Sequence, residues 1–255
     1  FEDIEKIKIK SIKDFYDNRF ADSSDFVFTF VGDFEIENMK SYVQKYLGSL
    51  PSIHRKESYI DNNIILNGST TFEFKKNTEK NAVARYIFSS PYIDLPKNRA
   101  TIYLSNLILN RFLKEEIRGN QKLVYSIGSV PSLINLPKPH HLNYIYFNSD
   151  PKNIQKIFAE IDRIFLKIKN GKINDNYITD AQKKINNDLA DSKQTNSFWA
   201  STIISRYFNK EDFKTIENFE NTVNSVNKKD IVDYFNKTFN ENFLKASFLP
   251  SIKVN

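Results

Sequence analysis

One short segment brings together a fixed cation, a phenol and a turn: Ile117-Arg118-Gly119-Asn120-Gln121-Lys122-Leu123-Val124-Tyr125-Ser126-Ile127-Gly128. It joins the end of a predicted helix to a predicted strand. Arg118 offers planar guanidinium donors that stay charged, and Tyr125 offers a hydroxyl donor at a strand start. Two such donors can hold a peptide carbonyl or an oxyanion. An arginine near a helix C-terminus also complements the helix dipole, so both roles stay open on physical grounds.

Other chemistries find less support. The three histidines are His54, His140 and His141, and no H-x-x-E-H pattern accompanies them. His140 and His141 are adjacent, so on a strand they point to opposite faces and cannot share one metal ion. No metal site is therefore expected in this chain. There is no cysteine, which excludes disulfides and thiol catalysis. There is no G-x-S-x-G elbow, no G-x-x-x-x-G-K-[ST] loop and no G-x-G-x-x-G after a strand. With six glycines in all, phosphate-cradling loops are not expected.

The elements that must position Arg118 and Tyr125 follow from periodicity. A helix is predicted over 4–20, then a buried strand at Phe26–Val31, then a short helix with Ile36, Met39, Val43 and Leu47 at helical spacing. Residues 49–69 are polar and unperiodic and read as a linker, with the main boundary near residue 65. Strands follow at Thr70–Lys75 and Ala82–Phe88, the second apolar on both faces. A helix of about twenty residues starts near Asn98. Strands are predicted at Leu123–Val130 and His141–Phe147, with Pro131, Pro137 and Pro139 marking the loop between them. Asp150-Pro151 opens a core-facing helix whose stripe is Ile154, Ile157, Phe158, Ile161, Ile164, Phe165 and Ile168. Further helices are predicted from near Asn174, over 195–208 and over 228–238, and a last strand over Phe243–Leu249. The sum is an α+β domain, an antiparallel sheet with helices packed on one face.

Composition narrows the class. Lysine and arginine exceed acidic residues by a net +6, but the excess is scattered, so a nucleic-acid partner is not expected. No stretch approaches the roughly 20 apolar residues of a membrane span. The chain opens at Phe1 without an initiator methionine and is expected to be part of something longer.

The segment from Arg118 to Gly128 resembles the arginine–tyrosine segment of the pitrilysin/insulinase family of zinc metallopeptidases, whose usual form reads like L-R-E-K-L-G-L-V-Y-S-V-G. Gln121-Lys122 stands where that form has Leu-Gly, so the loop there is open to a different conformation. Upstream, Phe28-Thr29-Phe30-Val31-Gly32-Asp33-Phe34 and Tyr46-Leu47-Gly48-Ser49-Leu50-Pro51 resemble the family's V-G-D/N-F and Y-L-G-S-L-P signature. Asn196-Ser197-Phe198-Trp199 and the C-terminal helices resemble the bacterial branch that includes periplasmic zinc proteases. The resemblance implies a clamshell of two homologous halves, with zinc on an H-x-x-E-H motif in the N-terminal half. This chain is then the C-terminal half: residues 1–60 end the preceding α+β domain and 65–255 form the last one. It implies that Arg118 and Tyr125 reach the substrate near the scissile bond, while zinc-activated water attacks the carbonyl. The chain alone is expected to be inactive and zinc-free. Its expected partners are the zinc-bearing half, in the same chain or a separate subunit, and an unfolded polypeptide or peptide substrate. The expected compartment is a bacterial periplasm or cell envelope. The rival expectation is a peptidase-like scaffold or binding subunit without catalysis.

Overall fold

The computed structural model describes residues 2–77 and 80–251. In chain order the first elements are α1 (Glu2–Glu5), α2 (Ile9–Arg19), α3 (Ile36–Tyr46), β1 (Ser69–Asn77), β2 (Ala82–Pro91) and α4 (Pro96–Phe112). A π-helical stretch, Leu113–Asn120, continues α4 and leads to β3 (Ser126–Ile134) and β4 (His140–Ser149). A 3₁₀ turn at Pro151–Asn153 opens α5 (Ile154–Lys169), followed by α6 (Asp175–Ser192) and α7 (Asn196–Asn209). The chain finishes with α8 (Lys214–Glu217), α9 (Phe219–Asn224), α10 (Lys228–Thr238) and β5 (Phe243–Pro250). They group into two compact units: Ile60–Asp191 with the chain from Phe213 onward, and the chain up to Tyr59 with Ser192–Asp212. The return of 192–212 to the first segment has no counterpart in the composition.

The larger unit is the predicted α+β fold. Its sheet runs β1-β5-β2-β4-β3. The β2–β4, β2–β5 and β3–β4 pairs are antiparallel, whereas β1 and β5 pair in parallel, Ser69 opposite Phe243. That one parallel pair departs from the sequence expectation because it joins strands from opposite ends of the unit, which local patterning does not encode. The seven predicted apolar residues of α5 are all buried. They meet Tyr86, Phe88, Ile145 and Phe147 of the sheet and Leu104, Ile108 and Leu109 of α4 in one core. At roughly 1.5–3 kcal/mol for each large apolar side chain removed from water, this contact layer dominates the unit's stability.

Strand β2 alternates after all. Ala82, Ala84, Tyr86 and Phe88 face the helices and are buried, while Val83 and Ile87 are half-buried and Arg85 is exposed. The expectation of burial on both faces was wrong because the opposite face carries no helices. It is an open surface that shows Phe72, Phe74, Phe248, Tyr146 and Val130. Phe74 and Phe248 stack there across the parallel pair with ring centroids 5.0 Å apart. Pro131 lies inside β3 and not in the following loop. An edge strand tolerates this because one row of its N–H groups has no ladder partner.

Local caps explain the helix ends. The Asp150 carboxylate accepts from the Lys152 N–H, with Pro151 next, as the Asp-Pro pair predicts. Gly171 ends α5 at φ +70°, a left-handed position glycine adopts without strain. Asn227 and Asp230 form a reciprocal capping box at the start of α10. At the sheet edge of the core, Tyr86 Oη donates to Asp162 (2.9 Å) and Lys245 Nζ reaches the same carboxylate (3.1 Å).

The smaller unit is different in kind. Among its described residues only Asp22 is buried, and no apolar side chain is. The predicted helix over 4–20 is broken into α1 and α2. The predicted buried strand Phe26–Val31 is extended but unpaired, and Phe26, Phe28 and Phe30 are exposed. The pattern was that of a strand; what is missing among the described residues is a strand beside it to accept the ladder. Asp22 organises the turn, accepting N–H bonds from Ser24 (3.0 Å), Ile53 (3.0 Å) and Arg55 (2.6 Å). Desolvation pushes its carboxyl up, but those three bonds outweigh it and hold the pKa well below the usual range.

Candidate functional site

Arg118 and Tyr125 each follow a buried anchor. Ile117 is fully buried within the π-helical stretch, and Val124 is buried just before β3. The chain therefore enters and leaves the intervening loop from fixed points. The π-helical stretch is itself tied down: Glu116 bridges Arg163 (2.8 Å) and Lys167 (2.7 Å) of α5. Glu115 accepts from Arg111 (2.9 Å) and from Tyr177 of α6. Arg111 also stacks on the Tyr177 ring, 3.8 Å from its centroid, and pairs with Asp180 (2.8 Å). π-Turns inside helices recur at functional sites, where the extra residue re-aims the chain.

The loop closes on itself and on β4. Leu123 N–H donates to the Ile117 carbonyl (3.1 Å), and the Ser149 hydroxyl donates to the Leu123 carbonyl. Tyr125 N–H donates to the Asn148 carbonyl (3.1 Å), while the Ser126 N–H and hydroxyl both donate to Asn148 Oδ1 (2.9 Å each). Asn148 thus pins the backbone on both sides of the Tyr125 Cα. Sequence reasoning missed it. The available signal was a carboxamide at the end of the aromatic run Tyr144–Phe147.

The side chains themselves point to solvent. Arg118 is exposed and Tyr125 is 62% exposed. Neither has a side-chain hydrogen-bond or ion-pair partner among the described residues. So the structure holds the backbone of both residues firmly and leaves their donors free. Both donors are therefore available to an incoming acceptor, on a backbone that is fixed and with rotamers that are not.

Two residues explain the loop's shape. Lys122 has φ +52°, a left-handed conformation that costs an L-residue roughly 1–2 kcal/mol and glycine almost none. The family's usual form has glycine at this place, so the departure in sequence leaves a glycine-like conformation in place. Lys122→Gly is expected to raise stability by about 1 kcal/mol and the melting temperature by about 2–4 °C. A thermal melt checks it; a lowered midpoint would show that Lys122 contributes something besides its backbone. Gly128 serves the sheet: a Cβ there would lie 2.6 Å from the Tyr146 hydroxyl oxygen, because that ring lies across the glycine from the neighbouring strand. Arg85 sits over the other side of the row, 5.7 Å from the Tyr146 ring centroid.

A metal finds no home here. Among the described residues no group of three or more His, Cys, Asp or Glu side chains is placed to hold an ion. His141 is fully buried, and its ring contacts Tyr234 of α10. His140 is half-buried and holds the Lys138 carbonyl through Nδ1 (2.9 Å). The described residues therefore do not fit zinc. Nor, among the described residues, is any helix long and apolar enough to cross a membrane.

Solved structures of similar fold include a protease from Helicobacter pylori, 16% identical with a TM-score of 0.78 over 98% of this chain and 61% of that one. A peptidase M16 inactive domain from Pseudomonas fluorescens is 15% identical, TM-score 0.74, covering 97% of this chain and 59% of that one. The periplasmic protease PqqL from Escherichia coli is 17% identical, TM-score 0.70, covering 86% of this chain and 24% of that one. The chain thus spans less than two-thirds of each. No curated protein sequence matches it significantly. The family model described as the peptidase M16 inactive domain matches residues 6–185, most of the chain, and the chain belongs to that family of pitrilysin-like peptidases as an inactive half.

Proposed function

We propose that this chain is the substrate-clamping half of a zinc metalloendopeptidase that hydrolyses peptides or unfolded polypeptides. The observation that carries it is the pair Arg118 and Tyr125, anchored at the backbone by Ile117, Val124 and Asn148 but free at the side chain. Arg118 holds a backbone carbonyl of the substrate as a charged donor. Tyr125 donates its hydroxyl to the scissile carbonyl as charge grows on the oxygen. The open sheet face, with Tyr146 on the strand next to β3 and Phe72, Phe74 and Phe248 towards its far edge, suits apolar side chains of an extended polypeptide.

The zinc and the general base belong, in this reading, to a catalytic half, in the same polypeptide or a separate subunit. The exposed aromatic residues of the smaller unit support a matching view of domain organisation. Residues 1–60 are the end of a preceding domain whose remaining strands cover Phe26–Val31, and 65–255 form the last domain, with 192–212 packing back on the former in this chain. We place the protein in a periplasm or cell envelope, as PqqL is. Elemental analysis after dialysis tests the division of labour. The isolated chain should retain no stoichiometric zinc and cleave no peptide. One tightly held zinc with chelator-sensitive peptidase activity would refute it.

A further inference from the structure

Away from Arg118 and Tyr125, a cleft of ≈ 520 Å³ opens between the first turns of α4, the end of β2 and the outer side of α10. We propose that this cleft binds a small molecule bearing one carboxylate and an apolar tail. Three features of its lining favour the carboxylate. The first is the start of α4. Leu95 supplies no side-chain cap, and Pro96 follows, so the N–H groups of Lys97 and Asn98 have no intrahelical acceptor. The helix is long, and its positive end faces the cleft.

The second feature is His141, which forms part of the cleft wall and is 0% exposed. Its Nδ1 has no partner, while its Nε2 lies 3.4 Å from the Tyr234 hydroxyl. In the tautomer in which Tyr234 donates to Nε2, Nδ1–H is a buried donor without an acceptor. Such a group costs stability unless something accepts from it. Burial, with His140 second, pushes the imidazole down to about 4, so the ring is neutral near pH 7.

The third feature is charge. Lys237 lines the cleft and has no ion-pair partner among the described residues. The two acidic residues that line it are already engaged: Asp230 with Lys97 (3.0 Å) and with the Asn227 N–H (3.0 Å), Asp233 with Lys229 (2.5 Å). Their presence also limits the guest. One unpaired lysine, a neutral imidazole and two amides suit a single negative charge, and two nearby carboxylates oppose a doubly charged phosphate. Tyr92, Ile93 and Ile102 make the apolar side of the cleft, which fits a leucine-sized tail.

The test uses the 255-residue chain and amide and imidazole NMR shifts. N-acetyl-L-leucine should saturate shifts of the Lys97 and Asn98 amides and of the His141 ring. N-acetyl-L-leucine amide, lacking the charge, should bind roughly tenfold more weakly or not at all. Lys237→Gln, a change on an already folded helix surface, should weaken the carboxylate several-fold and leave the amide unaffected. A tripeptide ending in leucine, run alongside, assigns the site to peptide C-termini if it binds more tightly and to free acids if it does not. Equal binding of acid and amide, no saturable shift, or phosphate binding more tightly than the acid would each overturn the proposal. So would a Lys237→Gln variant with unchanged affinity.

Discussion

Ile161→Asp should abolish cooperative unfolding of the larger unit. Ile161 is completely buried at the centre of the α5 stripe, with Ile157, Phe158, Ile164 and Phe165 around it in the core. A carboxylate there finds no described cation within that cluster. Leaving a charge uncompensated in such surroundings costs several kcal/mol, against a whole-domain stability of about 5–15 kcal/mol. The lost isoleucine packing adds about 2–5 kcal/mol more. Leu166, five residues along the same helix, is exposed, and Leu166→Gln should change stability by no more than about 0.5 kcal/mol. Far-UV circular dichroism through a thermal ramp reads both. A soluble Ile161→Asp chain with an unchanged midpoint would mean that α5 does not pack on the sheet through this face.

The contrast between those two residues shows what was legible before any coordinates. The α5 stripe repeats at three and four residues over four turns, and every member of it is buried, because a helix that must cover a sheet has little freedom in which face it uses. The Asp150-Pro151 start and the Gly171 stop were equally local. The misses share a cause: they depend on a partner distant in sequence. Phe26–Val31 carries a strand's pattern but has no strand beside it in the described residues. β1 and β5 pair in parallel across most of the unit. The burial pattern of β2 depends on helices covering one face only. α8 and α9 were missed for a different reason: they are too short to show a period.

The candidate site divides the same way. Arg118 and Tyr125 were visible as a spaced pair of donors and through the family resemblance. Their support was not visible. Asn148 lies on another strand, and the π-helical continuation of α4 has the same apolar spacing as an ordinary helix end. Lysine itself gave no signal of the left-handed conformation at Lys122; the only pointer was the glycine that the family's usual form has at that place.

Tyr125→Phe, in the assembled enzyme, should lower kcat by roughly ten- to a hundredfold and change KM less. Loss of a single oxyanion donor typically costs on the order of a hundredfold to a thousandfold. The low end is expected because, in the proposed enzyme, the carbonyl oxygen would have a second source of stabilisation on the catalytic half. The structure sharpens the alternative. The Tyr125 hydroxyl has no partner among the described residues, so its removal breaks nothing in the fold, and the melting temperature should stay put. Arg118→Ala should raise KM as well, since a charged donor grips the substrate backbone before the transition state. A Tyr125→Phe enzyme with wild-type turnover would remove the tyrosine from the reaction.

The central claim is that this half supplies donors to a reaction whose metal lies elsewhere. Hydrolysis of a quenched fluorescent peptide by the zinc-bearing half, with and without this chain, tests it most directly. The chain alone should be silent. Adding the wild-type chain should raise the rate of the zinc-bearing half by on the order of a hundredfold or more, the scale of one or two lost donors plus substrate positioning. Adding a chain with both Arg118→Ala and Tyr125→Phe should recover only a small part of that gain. A zinc-bearing half that is equally fast without this chain, or a double variant that restores the full rate, would contradict the account.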